Sequence, residues 1–323
     1  MKKFPLFMLI LTILLPIQVF AYSDYILASG ENIGIELKSN HIIIVGSYNI
    51  GSHNPLTENG LVIGDQILKV NGEAVTTVAE LQNIVSQNKQ DTIKITYLRG
   101  NTEYTKNIKL YLEDGTYKTG LYVRDTIRGV ATLTYIDVEN KTFGALGHEI
   151  LEKSTKSKFD TRDGTIFSST VTGIIKSQDG SPGEKSARSD STQVYGNVLK
   201  NTTSGIFGNY TTTIPKSKLY KVATSDEINL GKAKILTVIN DNDIQEFDIN
   251  ILKINKNSST KNILFEVTDE TLLEKTGGIV QGMSGSPIIQ GNNIIGAVNF
   301  VLVDKTNKGY GIFITTMLEE TEN

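Results

Sequence analysis

The stretch GGIVQGMSGSPIIQG, residues 277–291, places two serines between glycines and follows them with a proline and an apolar run. Within it, Ser284 has a glycine two positions before it and another directly after it. A tetrahedral intermediate of acyl transfer needs two amide N–H groups that converge on one oxygen beside the attacking hydroxyl. A Gly-x-Ser turn can supply them from Gly282 and Ser284. Ser284 is therefore the candidate nucleophile, and Gly282 and Ser284 form the candidate oxyanion hole.

The residues after this turn predict a strand, a turn at Gly291 and another strand, which is typical of a β-barrel protease. The nucleophile elbow of an α/β-hydrolase would instead need glycine at position 286 and a helix next. Ser286 occupies that position, so the α/β-hydrolase reading is weak.

The composition excludes several other classes of function. The chain has 323 residues, 39% apolar and 21% charged, with a formal net charge of -3, which fits a globular protein without general attraction to nucleic acid. It has no cysteine, which rules out disulfides, zinc-thiolate sites and a cysteine nucleophile. No second histidine lies within helical reach of His148 and Glu149, so we expect no metal and no cofactor.

A serine nucleophile needs a base, and only three histidines are available. His41 and His53 lie in the front part of the chain, whereas His148 follows an apolar strand in TFGALGHEI. A Gly-His pair at a strand end is by itself typical of a structural histidine. The serine turn farther along the same domain favours His148 as the base.

The orienting carboxylate is harder to assign from residues alone. Asp269 is favoured because it ends an apolar strand a short distance before Ser284. The other aspartates of this half of the chain remain open as alternatives: Asp160, Asp163, Asp190, Asp241, Asp243, Asp248 and Asp304.

The first residues are typical of a targeting segment. Lys2 and Lys3 precede an apolar run over 4–20, and small residues follow near position 21. Residues 1–21 are therefore predicted to be a signal peptide, either cleaved or retained as a membrane anchor. In both cases we expect the body of the protein to be exported.

The front part of the mature chain resembles a PDZ domain of the bacterial protease-associated type, over residues 30–112. The resemblance rests on GENIGIEL, on ENGLVIGDQILKVNGEAV and on the amphipathic helix predicted in TTVAELQNIVSQNK, capped at Thr76 or Thr77. Such domains bind an extended peptide, often a C-terminus, as an added strand. By this resemblance Ile33, Gly34 and Ile35 form the loop that holds the peptide carboxylate. Residues 113–125 are predicted to be a linker, 126–323 a peptidase domain, and 177–190 an exposed loop within it.

LGHEI, VTDETLLEKTGGIVQGMSGSPI and the PDZ-like front together resemble the stage IV sporulation protein B (SpoIVB) peptidase family of signalling serine proteases. The resemblance implies a mainly β fold, with the PDZ-like domain followed by a chymotrypsin-like double β-barrel. It assigns Ser284 as nucleophile, His148 as general base and Asp269 as orienting acid, in chymotrypsin order.

The same resemblance implies a serine endopeptidase of narrow specificity that acts during endospore formation. Its expected location is the space between mother cell and forespore. Its expected substrates are itself and a membrane-bound regulator of an intramembrane metalloprotease, whose release activates a late sigma factor. The alternatives are a catalytically inactive peptide-binding scaffold and an exported β-rich adhesion or coat component.

Overall fold

The computed structural model describes residues 22–322. The predicted signal peptide or anchor at residues 1–21 lies outside the described residues. In the described range, no helix combines the length and the apolar character that crossing a membrane requires.

The described chain is mostly strand. The strands are β1 (Tyr25–Ala28), β2 (Asn32–Ser47), β3 (Gln66–Val70), β4 (Glu73–Ala74), β5 (Thr92–Arg99), β6 (Thr102–Lys109), β7 (Tyr111–Glu113), β8 (Thr116–Lys118), β9 (Leu121–Asp137), β10 (Thr142–Ala145), β11 (Thr161–Ile175), β12 (Glu184–Thr202), β13 (Gly205–Tyr210), β14 (Leu219–Val222), β15 (Gly231–Val238), β16 (Ile244–Ile254), β17 (Ile263–Val267), β18 (Pro287–Gln290), β19 (Asn293–Leu302) and β20 (Lys305–Phe313). The helices are α1 (Pro55–Glu58), α2 (Val78–Gln87), α3 (Glu270–Thr276) and α4 (Ile314–Glu322).

Two closed β-barrels make up the larger part of the fold. In the first barrel the strands pair in a ring, in the order β2, β9, β10, β13, β12, β11 and back to β2. In the second the order is β15, β16, β17, β20, β19, β18 and back to β15. Each ring encloses its own apolar core, with Leu133 and Phe143 in the first and Phe265 and Met283 in the second.

The barrels are joined by a third apolar cluster and by two bridging strands. Tyr135 and Met317 belong to this cluster, which packs α4 against both barrels. Strand β1 pairs with β9 and β14, and β14 pairs in parallel with β19. This is the chymotrypsin-like double barrel that the sequence predicted, and the fold class is confirmed.

Strands β3 to β8 and helices α1 and α2 form a smaller unit with a separate core that includes Ile67 and Leu81. Helix α2 begins at Thr77, one of the two threonines predicted as its cap, and the cap is a capping box. The Thr77 hydroxyl accepts from the Glu80 N–H, and the Glu80 carboxylate accepts from the Thr77 N–H.

Strands β2 and β9 run through both units. Residues 32–38 of β2 pair with 126–132 of β9 inside the first barrel, and residues 43–47 pair with 121–124 in the smaller unit. The smaller unit is therefore inserted into a β-hairpin of the first barrel. The segment 113–125, predicted to be a linker, instead contributes to the β7–β8 hairpin and to the start of β9.

The predicted carboxylate-binding loop of Ile33, Gly34 and Ile35 is corrected by this topology. These residues lie within β2, which pairs with β9 along one edge and with β11 along the other. A Cβ added to Gly34 would lie 2.2 Å from the Phe167 ring, so the glycine is required by close barrel packing and not by a turn. A strand paired on both edges cannot add a peptide.

The segment 177–190 is exposed at most of its positions, as its polar composition predicted, but only residues 177–183 are a loop. Strand β12 begins at Glu184, and both Ser177 and Lys185 are buried. The polar composition does not reveal these two buried positions, which bond to Ile279 and Thr237 of the second barrel at the tip of the β11–β12 hairpin.

The inserted topology predicts opposite outcomes for two truncations. Lys38 and Thr126 are directly opposite each other, so a two-residue Asn-Gly turn that replaces residues 39–125 should close the hairpin and leave both barrels folded. A protein that begins at residue 126 lacks β1 and β2 and opens the first barrel. We expect it to be insoluble or non-cooperative in thermal unfolding followed by circular dichroism. Cooperative unfolding of the shorter protein would contradict this assignment of β2.

Candidate active site

The serine turn lies directly before β18 and has the backbone shape that its glycines predict. Gly282 and Gly285 have φ values of +95° and +94°, a backbone region that residues other than glycine rarely adopt. A Cβ on Gly285 would also lie 2.2 Å from the carbonyl oxygen of Thr132. The sequence of this turn is therefore set by the close approach of the first barrel.

The turn leaves two amide groups free. The N–H groups of Met283, Gly285 and Ser286 donate to carbonyl oxygens of the protein. Within residues 22–322, the N–H groups of Gly282 and Ser284 have no acceptor. These are the two N–H groups predicted from the sequence to form the oxyanion hole. A free N–H is a condition for that role, and the assignment stays a prediction.

Two buried threonines of β9 hold the turn from the opposite barrel. Thr132 donates its hydroxyl to the Gly282 carbonyl at 2.8 Å and its N–H to the Ser284 carbonyl at 3.1 Å. Thr134 donates its hydroxyl to the Gly285 carbonyl at 2.7 Å. Neither threonine was predicted from the sequence as part of the site. The strand VATLTYID places two threonines on one face of an apolar run. This pattern could have indicated a contact with another segment, because buried hydroxyls need hydrogen-bond partners.

His148 follows β10 after a bend at Leu146 and Gly147, which both have positive φ. Its Nδ1 lies 2.9 Å from the carbonyl oxygen of Glu149. A carbonyl can only accept, so Nδ1 carries the proton and Nε2 is left as the basic nitrogen. Burial lowers the pKa of His148, which keeps the imidazole neutral and able to accept a proton.

The structure places Ser284 and His148 against two adjacent residues of β19. The Ser284 hydroxyl donates to the Asn299 carbonyl at 3.1 Å, and the His148 ring stacks on Phe300 with 5.5 Å between ring centroids. Over the described chain the serine and the histidine share no hydrogen bond. Proton transfer therefore requires the Ser284 hydroxyl to rotate away from Asn299.

Asp269 has a structural role in this arrangement. It is the N-cap of α3, where its carboxylate accepts from the Leu272 N–H at 2.9 Å and, with longer geometry, from the Asp248 N–H at 3.4 Å. The Nδ1 position of His148 is occupied by the Glu149 carbonyl. The structure thus does not bring Asp269 and His148 into hydrogen-bonding contact, and the assignment of Asp269 as orienting acid stays a prediction.

A cleft of about 990 Å³ lies beside the histidine and the oxyanion turn. Its wall includes His148, Gly282, Phe300, Lys185, Arg124 and Leu151. Among the described residues no group of three or more His, Cys, Asp or Glu side chains is placed to hold a metal ion. The cleft thus brings the His148 imidazole and the Gly282 backbone to one surface.

Comparisons with known proteins give matches to both units. The family described as SpoIVB peptidase S55 matches residues 115–318, and the PDZ domain family matches 32–110. The Do-like serine proteases HtrA of two Lactococcus lactis strains are each 35% identical over 85 residues, which is 26% of this chain and 21% of theirs. The aligned part thus spans about a fifth of the length of these curated relatives.

Two solved structures show partial likeness. One is the PDZ domain of an SdrC-like protein from Listeria monocytogenes, at 24% identity, 28% of this chain, 93% of that chain and a TM-score of 0.24. The other is human heparin binding protein, at 10% identity, 56% of this chain, 73% of that chain and a TM-score of 0.29.

The two barrels, the serine turn and the inserted unit define the class of protein as a serine peptidase with a PDZ domain. The peptidase match covers more than half of the chain. The chain belongs to the SpoIVB peptidase S55 family.

The role of Asp269 can be tested by two substitutions. Asparagine caps helices about as well as aspartate, so Asp269→Asn should keep both the fold and the reactivity of Ser284 if the residue is only a cap. Asp269→Ala should lower the free energy of unfolding by about 1 kcal/mol. Loss of the orienting acid of a triad would instead lower the rate by about 10⁴. Denaturant unfolding and fluorophosphonate labelling of both variants separate the two roles.

Proposed function

We propose that the protein is a serine endopeptidase in which Ser284 attacks the scissile carbonyl and His148 Nε2 takes the serine proton. The carbonyl oxygen becomes an oxyanion that accepts from the N–H groups of Gly282 and Ser284. His148 then returns the proton to the leaving amine, and water hydrolyses the acyl-enzyme by the same steps. The observation that carries this proposal is the pair of unpaired amide donors in the serine turn.

In this mechanism the Glu149 carbonyl, and not a carboxylate, orients the His148 imidazole. It accepts from His148 Nδ1 and so selects the tautomer that leaves Nε2 basic. The preorganised pair of oxyanion donors supplies most of the remaining stabilisation of the transition state. In comparable sites, removing one such donor raises the barrier by about 3–4 kcal/mol.

The family supports a biological role in signalling during sporulation. In this role the exported protein cleaves itself and a membrane-bound regulator of an intramembrane metalloprotease, and so activates a late sigma factor. The space between mother cell and forespore is the proposed location.

The PDZ unit is proposed to bind an extended peptide at the start of β9. Residues 121–124 pair with β2 on one edge, and no other described strand pairs with them. Helix α2 lies beside this edge, because the Val78 N–H at its start donates to the Asp125 carboxylate at 2.8 Å. A peptide added between the strand edge and the helix would extend the sheet.

The rival function is a peptide-binding scaffold without activity. The observation in its favour is the Ser284 hydroxyl, which is bonded to Asn299 and not to His148. Reactivity of the serine decides between the two functions.

A fluorophosphonate probe should label the wild-type protein and not Ser284→Ala. His148→Ala should reduce the labelling rate by several orders of magnitude, because the hydroxyl then has no base. Ser284→Ala should keep the thermal midpoint of the wild-type protein, whereas His148→Ala should lower it slightly, because the ring that stacks on Phe300 is lost, and should keep a cooperative transition. Absence of labelling in the wild-type protein, with intact folding, would support the scaffold.

The activity should fall at acid pH with a midpoint below 6.5, the ordinary pKa of histidine. Burial lowers the pKa of His148, and only the neutral imidazole can accept the serine proton, so protonation and loss of rate occur at lower pH than for an exposed histidine. The labelling rate measured between pH 4 and 8 checks this. A midpoint above 6.5 would indicate a carboxylate partner that stabilises the imidazolium.

A further inference from the structure

Lys185 is a buried cation that the proposed mechanism does not use. It lies on β12, only 7% exposed, and its Nζ donates to the Thr237 hydroxyl at 3.0 Å. Burial lowers its pKa to about 7. Isolated buried ammonium groups are costly, so a lysine at such a position calls for a physical reason.

The backbone of Lys185 fixes the residue that precedes the oxyanion turn. The Lys185 N–H donates to the Gln281 carbonyl at 2.9 Å, and the Gln281 N–H donates to the Gly183 carbonyl at 2.8 Å. These bonds form a short parallel bridge between the β11–β12 hairpin and the chain just before Gly282. The chain is thereby anchored at the residue directly before the turn.

The side chain of Lys185 supports the turn directly. A Cβ built on Gly282 would lie 3.1 Å from Cδ of Lys185 and 3.2 Å from its Cβ and Cγ. The methylene stem therefore forms the surface on which Gly282 lies. Its amine then connects this support to Thr237 on β15, inside the second barrel.

The oxyanion turn needs such external support. Two of its residues have positive φ, and its N–H groups at 282 and 284 make no bonds of their own within the described range. Donors of this kind contribute to catalysis only if they are held in place before the charge develops. Thr132 supplies one restraint from the first barrel, and Lys185 occupies the other side of Gly282.

We propose that Lys185 is a positioning residue that holds the Gly282–Ser284 turn in its oxyanion-binding shape through its stem and its bond to Thr237. The inference rests on the proposed peptidase function. The buried amine fixes the end of the side chain by bonding to Thr237. An apolar side chain of the same length would support Gly282 with its stem but would lack this bond.

The test is Lys185→Met, which keeps most of the stem and removes the amine, together with Thr237→Val, which removes the partner. A rhodamine fluorophosphonate is the probe. The Ser284 Oγ–P bond forms while the hydroxyl proton passes to His148, the P–F bond breaks and fluoride leaves, and the phosphonyl oxygen takes the place of the oxyanion. The maximal labelling rate should fall about 10- to 100-fold in either variant, the scale of displaced catalytic groups. The concentration for half-maximal rate should be unchanged, because the oxyanion contacts strengthen only in the transition state.

Lys200→Met is the matched control. Lys200 lies on the same strand and donates to the Glu320 carbonyl, away from the serine turn. We expect its labelling rate to equal that of the wild-type protein.

The pH dependence of the free energy of unfolding reports whether the Lys185 amine is buried in solution. The pKa of Lys185 is lowered on folding, so between pH 7 and about 10 the unfolded chain binds more protons and this residue makes stability rise with pH. Lys185→Met should lose that rise and retain a cooperative transition.

Two results would overturn the proposal: labelling of Lys185→Met within twofold of the wild-type rate, or a loss of labelling that only parallels a loss of folded protein. Absence of labelling in the wild-type protein is a different result, since it contradicts the peptidase function itself.

Discussion

The active site depends on one set of hydrogen bonds between the two barrels. The nucleophile turn belongs to the second barrel and the histidine to the first, so their geometry is defined only if the barrels are fixed against each other. Thr132 and Thr134 provide this connection, by donating to the carbonyls of Gly282 and Gly285 across the interface. Both hydroxyls are fully buried, where an unpaired polar group would be destabilising. The requirement to pair them therefore also keeps the turn in register with the first barrel.

The same strand connects the site to the PDZ unit. β9 extends from the strand edge at 121–124, through the two threonines, to the bridge with β1. At its first part Arg124 forms an ion pair with the buried Glu152, on the loop that follows His148. The proposed peptide-binding edge, the proposed base and the proposed oxyanion turn are thus all attached to β9. Insertion of the PDZ unit into a barrel hairpin, and not before it, is the reason for this arrangement.

Features that depend on neighbouring residues were predicted correctly from the sequence. Features that depend on pairing with strands far along the chain were not. The glycines of the serine turn, the Thr77 cap and the β-rich body follow from residue types, and the fold class was correct. The roles assigned to Ile33, Gly34 and Ile35 were not, because an apolar run with a glycine suits a barrel strand as well as a PDZ loop. Only pairing with β11, far along the chain, separates the two. Lys185 was assigned to an exposed loop for a similar reason, since polar composition does not reveal that a hairpin tip packs on another barrel.

In the proposed mechanism, the Glu149 carbonyl takes the place that a carboxylate would have beside His148. A carboxylate would stabilise the imidazolium and raise the histidine pKa, whereas a carbonyl fixes the tautomer with little added charge. Burial against Phe300 lowers the pKa of His148 and so favours the neutral ring. The resting base is then available over a wide pH range, but the imidazolium formed during proton transfer receives less stabilisation. Stabilisation of the transition state must come mainly from the oxyanion donors, which is why the residues that hold Gly282 and Ser284 in place carry so much of the mechanism.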